Sequence, residues 1–237
     1  KFVSQVDEWE ASQNRVLYNG AGVAVGDYDK DGWPDIFLCA IDGNPALYKN
    51  KGDWGFIDVT YTAGLKEMGR RHRGAVFADL NGDDWLDLLV GTVDRGIRTY
   101  INRGGVFNEM SKISGLAGVY APMTMALADV DGNGTLDLYV TNNRSSDIRD
   151  EGSITLRRVG GKLVIPAQYR KRLVVSGGMV KEYGEADFLF LNNGKAVFAK
   201  TSWTDGRFLT PQGEELREAP LDWGLSAAFH DINHDGL

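Results

Sequence analysis

The amino-acid sequence predicts an all-β fold made of repeated four-stranded sheets. Short apolar runs such as FLCA, LLVG and LYVT alternate with turns, and the chain has 30 glycines but only 6 prolines. Strand-forming residues bounded by turn residues are typical of β structure. An acidic segment also recurs about every 50 residues, which is the size of one β-propeller blade. The predicted fold class is therefore a β-propeller.

The recurring acidic segment defines four units. Its copies read GVAVGDYDKDGWPDIFL, GAVFADLNGDDWLDLLV, TMALADVDGNGTLDLYV and SAAFHDINHDGL, and their first aspartates are Asp27, Asp79, Asp129 and Asp231. We call the nine residues that start at the first three aspartates acidic loops 1 to 3, and the seven residues from Asp231 acidic loop 4, and we number their positions from 1. Apolar residues precede loops 1 to 3, and strand formers follow them. Each loop is therefore predicted to join the first and second strands of its unit.

A second hairpin recurs further along each unit. The runs LYKNKGDWGFIDVT (47–60), TYINRGGVFNEMS (99–111) and LFLNNGKAVFAKTS (189–202) share an apolar segment, an Asn-x-Gly turn and a phenylalanine after the turn. A turn of this kind between apolar runs predicts a β-hairpin, which here supplies the third and fourth strands. In the third unit this hairpin comes late because residues 144–186 are inserted before it.

The spacing predicts roughly three and a half blades in this chain. A propeller of about seven blades needs roughly 350 residues at ~50 residues each, so we expect the chain to be the N-terminal part of a longer propeller. The expected divisions are a leader or closing strand at 1–19, blade 1 at 20–70, blade 2 at 71–120, blade 3 at 121–210 with the insertion 144–186, and a linker with the start of blade 4 at 211–237.

The acidic loops predict calcium sites. Ca²⁺ takes about six to eight oxygen ligands, which side chains at alternating positions and one backbone carbonyl can supply. An EF-hand is excluded, because it needs a glutamate at position 12 and flanking helices, whereas Leu38, Val90 and Val140 stand there in predicted strands. We expect three complete sites and a fourth that is incomplete. The predicted ligands are Asp27, Asp29, Asp31, the Trp33 carbonyl and Asp35; Asp79, Asn81, Asp83, the Trp85 carbonyl and Asp87; Asp129, Asp131, Asn133, the Thr135 carbonyl and Asp137; and Asp231, Asn233 and Asp235.

Position 6 of the loops favours glycine. Gly32, Gly134 and Gly236 stand there in loops 1, 3 and 4, but loop 2 has Asp84. Glycine adopts the left-handed backbone conformation without steric cost, and aspartate tolerates it better than most residues. We therefore expect a strained or slightly altered loop 2 that keeps its site.

These loops carry a family resemblance. The D-x-[DN]-x-[DN] loops between strands, with their N-x-G hairpins, resemble the FG-GAP or VCBS repeats of integrin α-chain propellers. The motifs NRVLYNGAGVAVGDYDKDGWPDIFL and LDLYVTNN look like those of bacterial relatives of cartilage acidic protein, which often carry an ASPIC/UnbV domain. The resemblance covers residues 14–143 and 187–237. It implies a non-enzymatic, calcium-stabilised binding or scaffold module for a protein or glycan, located outside the cytoplasm (extracellular, periplasmic or on the cell surface).

No catalytic residue is predicted. The three histidines are not spaced as a metal triad, and the chain has no G-x-S-x-G elbow or phosphate-binding loop. His72 lies in the basic run 70–73, which is more typical of a solvated strand edge than of a phosphate site. The alternative is a calcium-dependent carbohydrate-active enzyme resembling a polysaccharide lyase. That activity needs a His, Tyr, Lys or Arg cluster near a calcium, and linear spacing shows none.

Charge and hydropathy limit the classes of partner that the chain is expected to bind. The formal net charge of −7 and a pI near 5.0 argue against nucleic acid, and no run approaches the ~18 apolar residues of a membrane span. Residues 1–20 lack signal-peptide organisation, so an extracellular location implies a signal that has been removed. The insertion is basic, and we expect it to contact the protein or glycan partner. The basic residues of its run 154–178 are Arg157, Arg158, Lys162, Arg170, Lys171 and Arg172.

Overall fold

The computed structural model describes residues 2–93 and 95–231, and their regular structure is almost entirely β. The described residues include one short α-helix, α1 (Glu8–Gln13), and none of their helices is both long and apolar enough to cross a membrane. The strands are β1 (Val23–Gly26), β2 (Asp35–Leu38), β3 (Ala46–Asn50), β4 (Phe56–Asp58), β5 (His72–Ala78), β6 (Asp87–Thr92), β7 (Gly96–Asn102), β8 (Phe107–Glu109), β9 (Ala121–Ala128), β10 (Asp137–Asn143), β11 (Arg157–Val159), β12 (Lys162–Val164), β13 (Leu173–Ser176), β14 (Met179–Glu182), β15 (Phe188–Asn192) and β16 (Phe198–Lys200).

Three antiparallel sheets of four strands each form the blades. Blade 1 is β1–β2–β3–β4, blade 2 is β5–β6–β7–β8, and blade 3 is β9–β10–β15–β16. Each sheet follows chain order, as propeller blades do. The residue before each acidic loop pairs with position 9, so the loop closes the hairpin between the first two strands, as predicted. These pairs are Gly26 with Asp35, Ala78 with Asp87, and Ala128 with Asp137.

The first strands of successive blades lie side by side. The Gly22 N–H, just before β1, donates to the Arg73 carbonyl of β5 at 2.5 Å. A Cβ atom on Gly22 would lie 2.8 Å from that oxygen, and one on Gly74 would lie 2.7 Å from the Met123 carbonyl of β9. The two glycines stand one repeat apart in the sequence. Both allow the same close approach between neighbouring first strands, as expected around a propeller axis.

Apolar cores fill the spaces between neighbouring blades. Successive residues of β6 point to opposite faces, so Leu88 packs toward blade 1 while Leu89 packs toward blade 3. The ring of Tyr28, at position 2 of loop 1, stacks on Phe107 of blade 2 at 5.7 Å between centroids. Each fully buried side chain of this size contributes about 1.5–3 kcal/mol. These cores therefore hold the acidic loops at the edge of a rigid stack of sheets.

The insertion leaves blade 3 after β10 and returns at β15. It forms two hairpins, β11–β12 and β13–β14, with Gly160-Gly161 and Gly177-Gly178 at their turns, all four at positive φ. The hairpin at Gly160-Gly161 is the one that the sequence predicted. The insertion thus has hairpins of its own outside the blade sheets.

Arg172 does not belong to the exposed basic surface predicted for the insertion. Its side chain is 13% exposed, and its guanidinium bonds the Ser146 carbonyl at 2.6 Å and pairs with Glu182 and Glu151. Charged groups that leave water need such partners. Arg172 therefore anchors the second hairpin, whereas the other five predicted basic residues are exposed.

The leader packs against the blades mainly without strand pairing. Gln5 makes an isolated bridge with Asp42, and α1 is capped by the Asp7 carboxylate. Val16 and Leu17 are buried in a small core with Ile41 and neighbouring apolar residues. Over the described residues 2–19, then, the chain covers one end of blade 1 and contributes no sheet strand.

The prediction that His72 lies on a solvated strand edge is wrong. His72 is fully buried, and its ring nitrogens lie 3.2 and 3.0 Å from the carbonyl oxygens of Ala40 and Met68. Burial lowers its pKa. Arg73 is also buried and donates to the Val16 carbonyl at 2.5 Å. The reason is that both residues begin the inner strand β5, where blade 1 and the leader cover them.

The segment after β16 returns to the inner strands. The Thr124 hydroxyl of β9 donates to the Leu225 carbonyl at 2.8 Å. The ring of Phe229 meets Tyr139 edge to face, 6.3 Å between centroids. Residues 225–229 therefore lie beside β9, where the first strand of a next blade belongs.

Candidate metal centre

The aspartate at position 9 is buried at the bottom of each of loops 1 to 3. Asp35, Asp87 and Asp137 are all fully buried. In every loop its Oδ2 accepts the N–H of position 2, and its Oδ1 accepts the N–H of the Asn-x-Gly asparagine. The donors are Tyr28 at 3.2 Å and Asn50 at 2.8 Å; Leu80 at 3.0 Å and Asn102 at 2.8 Å; and Val130 at 3.1 Å and Asn192 at 2.8 Å.

Burial makes these carboxylates costly to ionise. It raises the pKa of Asp35 and of Asp87 to about 6, and it raises the pKa of Asp137 as well. The N–H donors and the neighbouring aspartates act in opposite directions on these pKa values, but loss of solvation is the largest cause. A cation beside such a group would favour its charged form. The position 9 carboxylate of each of these three loops is thus an anion that a bound cation would stabilise.

The aspartate at position 1 holds the loop backbone in a tight turn. In loop 1, Asp27 accepts the N–H of Asp31 at 3.0 Å on Oδ1 and the N–H of Gly32 at 2.8 Å on Oδ2. The same contact to position 6 is made at 2.8 Å in loop 2 and at 2.7 Å in loop 3. These bonds from the position 1 side chain reach backbone N–H groups later in the same loop, so each of the three loops is held in shape by its own carboxylate.

Loop 2 keeps this geometry despite Asp84 at position 6. Asp84 adopts φ +65°, in the same left-handed region as Gly32 at +90° and Gly134 at +83°. Its N–H bond to Asp79 matches those of the glycines, so the expected strain is present but the loop is not altered. Position 4 is left-handed too, at Lys30, Gly82 and Gly132. The sequence analysis missed that requirement.

Positions 1, 3 and 9 converge on one point. In loop 1, single carboxylate oxygens of Asp27, Asp29 and Asp35 lie within 4.8 Å of one another. In loop 3 the same is true of Asp129, Asp131 and Asp137. Asp29 Oδ1 is buried and has no hydrogen-bond partner. In loop 2, Asn81 stands at position 3, and its amide oxygen accepts the Asp83 N–H at 3.0 Å. The donors are all oxygens, which suits Ca²⁺ better than zinc or copper.

The predicted ligand Asp31, at position 5 of loop 1, lies outside the group formed by Asp27, Asp29 and Asp35. Asp31, Asp83 and Asn133 each accept the N–H of position 7, at 2.9, 2.9 and 2.8 Å. That bond shapes the turn whose position 7 carbonyls, of Trp33, Trp85 and Thr135, were predicted as ligands. In loop 4, Asp231 is described, whereas the predicted ligands Asn233 and Asp235 lie outside the described residues.

The Asn-x-Gly asparagines are functional residues that the sequence analysis took for turn residues alone. Asn102 Nδ2 donates to the Leu86 carbonyl of its own loop at 3.0 Å and to the Tyr28 carbonyl of loop 1 at 2.7 Å. Asn192 repeats the pattern one blade later, with the Leu80 carbonyl of loop 2 at 2.8 Å. Asn102 and Asn192 therefore each tie their own acidic loop to the loop of the preceding blade.

Repeated blades with oxygen-lined loops define the chain as a propeller-type repeat protein. A family model for the FG-GAP-like repeat matches residues 27–90 and 79–140. These matches begin at position 1 of loops 1 and 2 and end in β6 and β10. Residues 27–140 are therefore FG-GAP-like repeats.

Curated relatives share this region. The chain is 28% identical over 126 residues to cartilage acidic protein 1 of Xenopus tropicalis, covering 52% of this chain and 20% of that protein. It is 28% identical over 150 residues to the human protein of that name, covering 61% of this chain and 23% of the relative. The mouse protein gives 27% over 150 residues. The match thus spans less than a quarter of the relatives' length, and the likeness to bacterial proteins and to integrins stays a prediction.

Proposed function

We propose that the chain is a calcium-stabilised propeller module with one Ca²⁺ in each complete acidic loop. The observation that carries this is the repeated convergence of oxygen donors from positions 1, 3 and 9. Asp27, Asp29 and Asp35 would hold the ion in loop 1, and the corresponding residues would do so in loops 2 and 3. The ion would neutralise a buried carboxylate that already fixes two backbone donors. Its role is therefore structural, locking the hairpin between the first and second strands.

We further propose that the module binds or scaffolds a protein or glycan outside the cytoplasm. FG-GAP repeats form propeller-type modules, and the insertion adds exposed basic side chains to a chain with a net charge of −7. The exposed basic residues of the insertion include Arg157, Arg158, Lys162, Arg170 and Lys171. The relatives carry no enzyme name, and no observation favours the carbohydrate-active alternative. The proposed role is therefore non-enzymatic.

Thermal melting with and without calcium tests the first proposal. A ligand that binds only the native state at 100 times its dissociation constant adds about 2.7 kcal/mol per site. Three filled sites should raise the melting temperature by many degrees over that in EGTA, followed by circular dichroism. Magnesium serves as the control, because it demands a smaller, octahedral site and should stabilise far less. Superimposable curves in calcium and EGTA would show that the loops do not hold the ion.

A further inference from the structure

Lys49 distinguishes acidic loop 1 from the other two loops. It lies on β3 directly before Asn50, and its Nζ contacts the carboxylate of Asp29 and lies 2.8 Å from Asp31 Oδ2. The residues in the same place, directly before the other two asparagines, are Ile101 and Leu191. A basic side chain therefore reaches this point of the loop in blade 1 and is replaced by an apolar one in blades 2 and 3.

The charge pattern of the loops explains why a lysine is accommodated there. Positions 3 and 5 are Asn81 and Asp83 in loop 2, and they are Asp131 and Asn133 in loop 3, so each of those loops has one amide and one carboxylate. In loop 1 both positions are aspartate. The extra carboxylate is matched by one extra positive charge, and the summed charge of the ligand positions with the lysine becomes the same in the three loops.

The lysine and the two aspartates form a partly buried group. The side chains of Lys49, Asp29 and Asp31 are 30%, 18% and 29% exposed. Asp29 and then Asp31 raise the pKa of Lys49, and Lys49 lowers the pKa of Asp31. Lys49 and Asp31 thus both stay charged near neutral pH. Asp29 meanwhile divides its two oxygens: Oδ2 faces Lys49, and Oδ1 is buried without a hydrogen-bond partner.

We propose that Lys49 is a built-in competitor for the cation of acidic loop 1, which lowers the calcium affinity that the extra carboxylate of this loop would otherwise give. This inference rests on the proposed calcium binding. A +1 and a +2 charge about 5 Å apart in water-like surroundings repel enough to weaken binding on the order of tenfold. Without the lysine, loop 1 would fill at a lower calcium concentration. In calcium-poor conditions Lys49 keeps loop 1 folded by pairing with its carboxylates.

Terbium luminescence can read the loops separately, because Tb³⁺ binds oxygen-rich calcium sites and is sensitised by a nearby tryptophan. Loop 1 carries Trp33 and loop 2 carries Trp85, both at position 7, whereas loop 3 has Thr135. Trp85→Phe leaves loop 1 as the reporting loop, and Trp33→Phe leaves loop 2. In the Trp85→Phe protein we expect Lys49→Ile, which installs the residue type of blade 2, to lower the half-saturating Tb³⁺ concentration about tenfold.

Two controls make the result specific. Lys30→Gly removes a lysine from position 4 of the same loop and installs the residue found in loops 2 and 3. Because the Lys30 ammonium lies over the Trp85 ring, 4.7 Å from its centre, this change should shift loop 1 binding much less than Lys49→Ile. In the Trp33→Phe protein, Lys49→Ile should leave loop 2 binding unchanged.

The outcomes separate this inference from the proposed function. If Trp85 reports saturable Tb³⁺ binding that calcium displaces, but Lys49→Ile leaves loop 1 affinity unchanged, calcium binding stands and the role of Lys49 is overturned. An equal effect of Lys30→Gly would also overturn the proposed role of Lys49, because the loss of any nearby positive charge would then raise the affinity as much. If neither tryptophan reports binding in any variant, the calcium proposal fails and this inference fails with it.

Discussion

At the scale of single residues, the loop asparagines do more than the aspartates to join one blade to the next. Asn102 is fully buried, and its amide donates to two carbonyls on different blades while its Oδ1 accepts the Gly105 N–H at 2.9 Å. Asn50 holds the equivalent place in blade 1, but its Nδ2 bond goes to the Pro34 carbonyl of its own loop. A comparison of Asn102 with Asn50 therefore isolates the contribution of the hydrogen bond that joins two blades.

Asn102→Ala should destabilise the protein by about 3–4 kcal/mol, because it leaves buried carbonyls of two blades without a donor. Asn50→Ala is the matched control and should cost about 1–2 kcal/mol, since its losses stay within one loop. Urea unfolding in EGTA measures both without a contribution from bound calcium. Equal losses would mean that the bond to Tyr28 adds nothing to the joining of the blades.

At the scale of elements, the insertion is divided between anchoring and exposed charge. Arg144 and Arg172 face inward, where Arg144 Nε donates to the Tyr183 carbonyl at 2.5 Å and both pair with Glu182. The hairpin β11–β12 instead exposes its arginines and lysine. The ion pairs therefore fix the base of β13–β14, whereas β11–β12 is exposed along its strands and is suited to contact a partner while the blades stay unchanged.

Removing the exposed charges of β11–β12 should weaken binding to an acidic glycan. We expect the triple variant with Arg157→Ala, Arg158→Ala and Lys162→Ala to elute from heparin at a lower salt concentration than the unmodified chain. The reason is that fewer cationic side chains contact the sulfate groups of heparin. The control is the triple change Lys51→Ala, Lys66→Ala and Lys112→Ala, which removes three exposed charges from the blades. Identical elution of the two triple variants would show that the insertion has no special role.

The sequence predicts correctly those elements whose signals are local. The period of the aspartates, the strand formers after position 9 and the Asn-x-Gly turns are each read within a few residues, and all three gave the correct strands. Lys49, Asn102 and His72 were misjudged or missed. Their roles depend on which side chains of neighbouring strands or blades lie next to each other. The spacing of residues within one unit does not predict that packing.

At the scale of the whole molecule, blade 1 leaves one apolar face open. Phe77 of blade 2 stacks on Phe107 at 6.3 Å, in the core that blade 2 shares with blade 1. Val25 holds the same place in blade 1, two residues before its loop, yet it is 61% exposed, with Trp33 48% exposed beside it. Such a face is built to pack against another blade of the same type, as blades 2 and 3 show.

We expect this face to make the 237-residue chain associate with a second copy of itself, because exposed apolar patches of this kind drive such contacts. Val25→Asp should shift the chain toward the monomer in sedimentation velocity over a concentration series, since a charge in a blade interface is costly to bury. Val119→Asp is the control: Val119 is 87% exposed but lies in the turn before β9, away from the open face. Association that persists in the Val25 variant, or disappears equally in both, would place the contact elsewhere and leave the face of blade 1 without a partner in this chain.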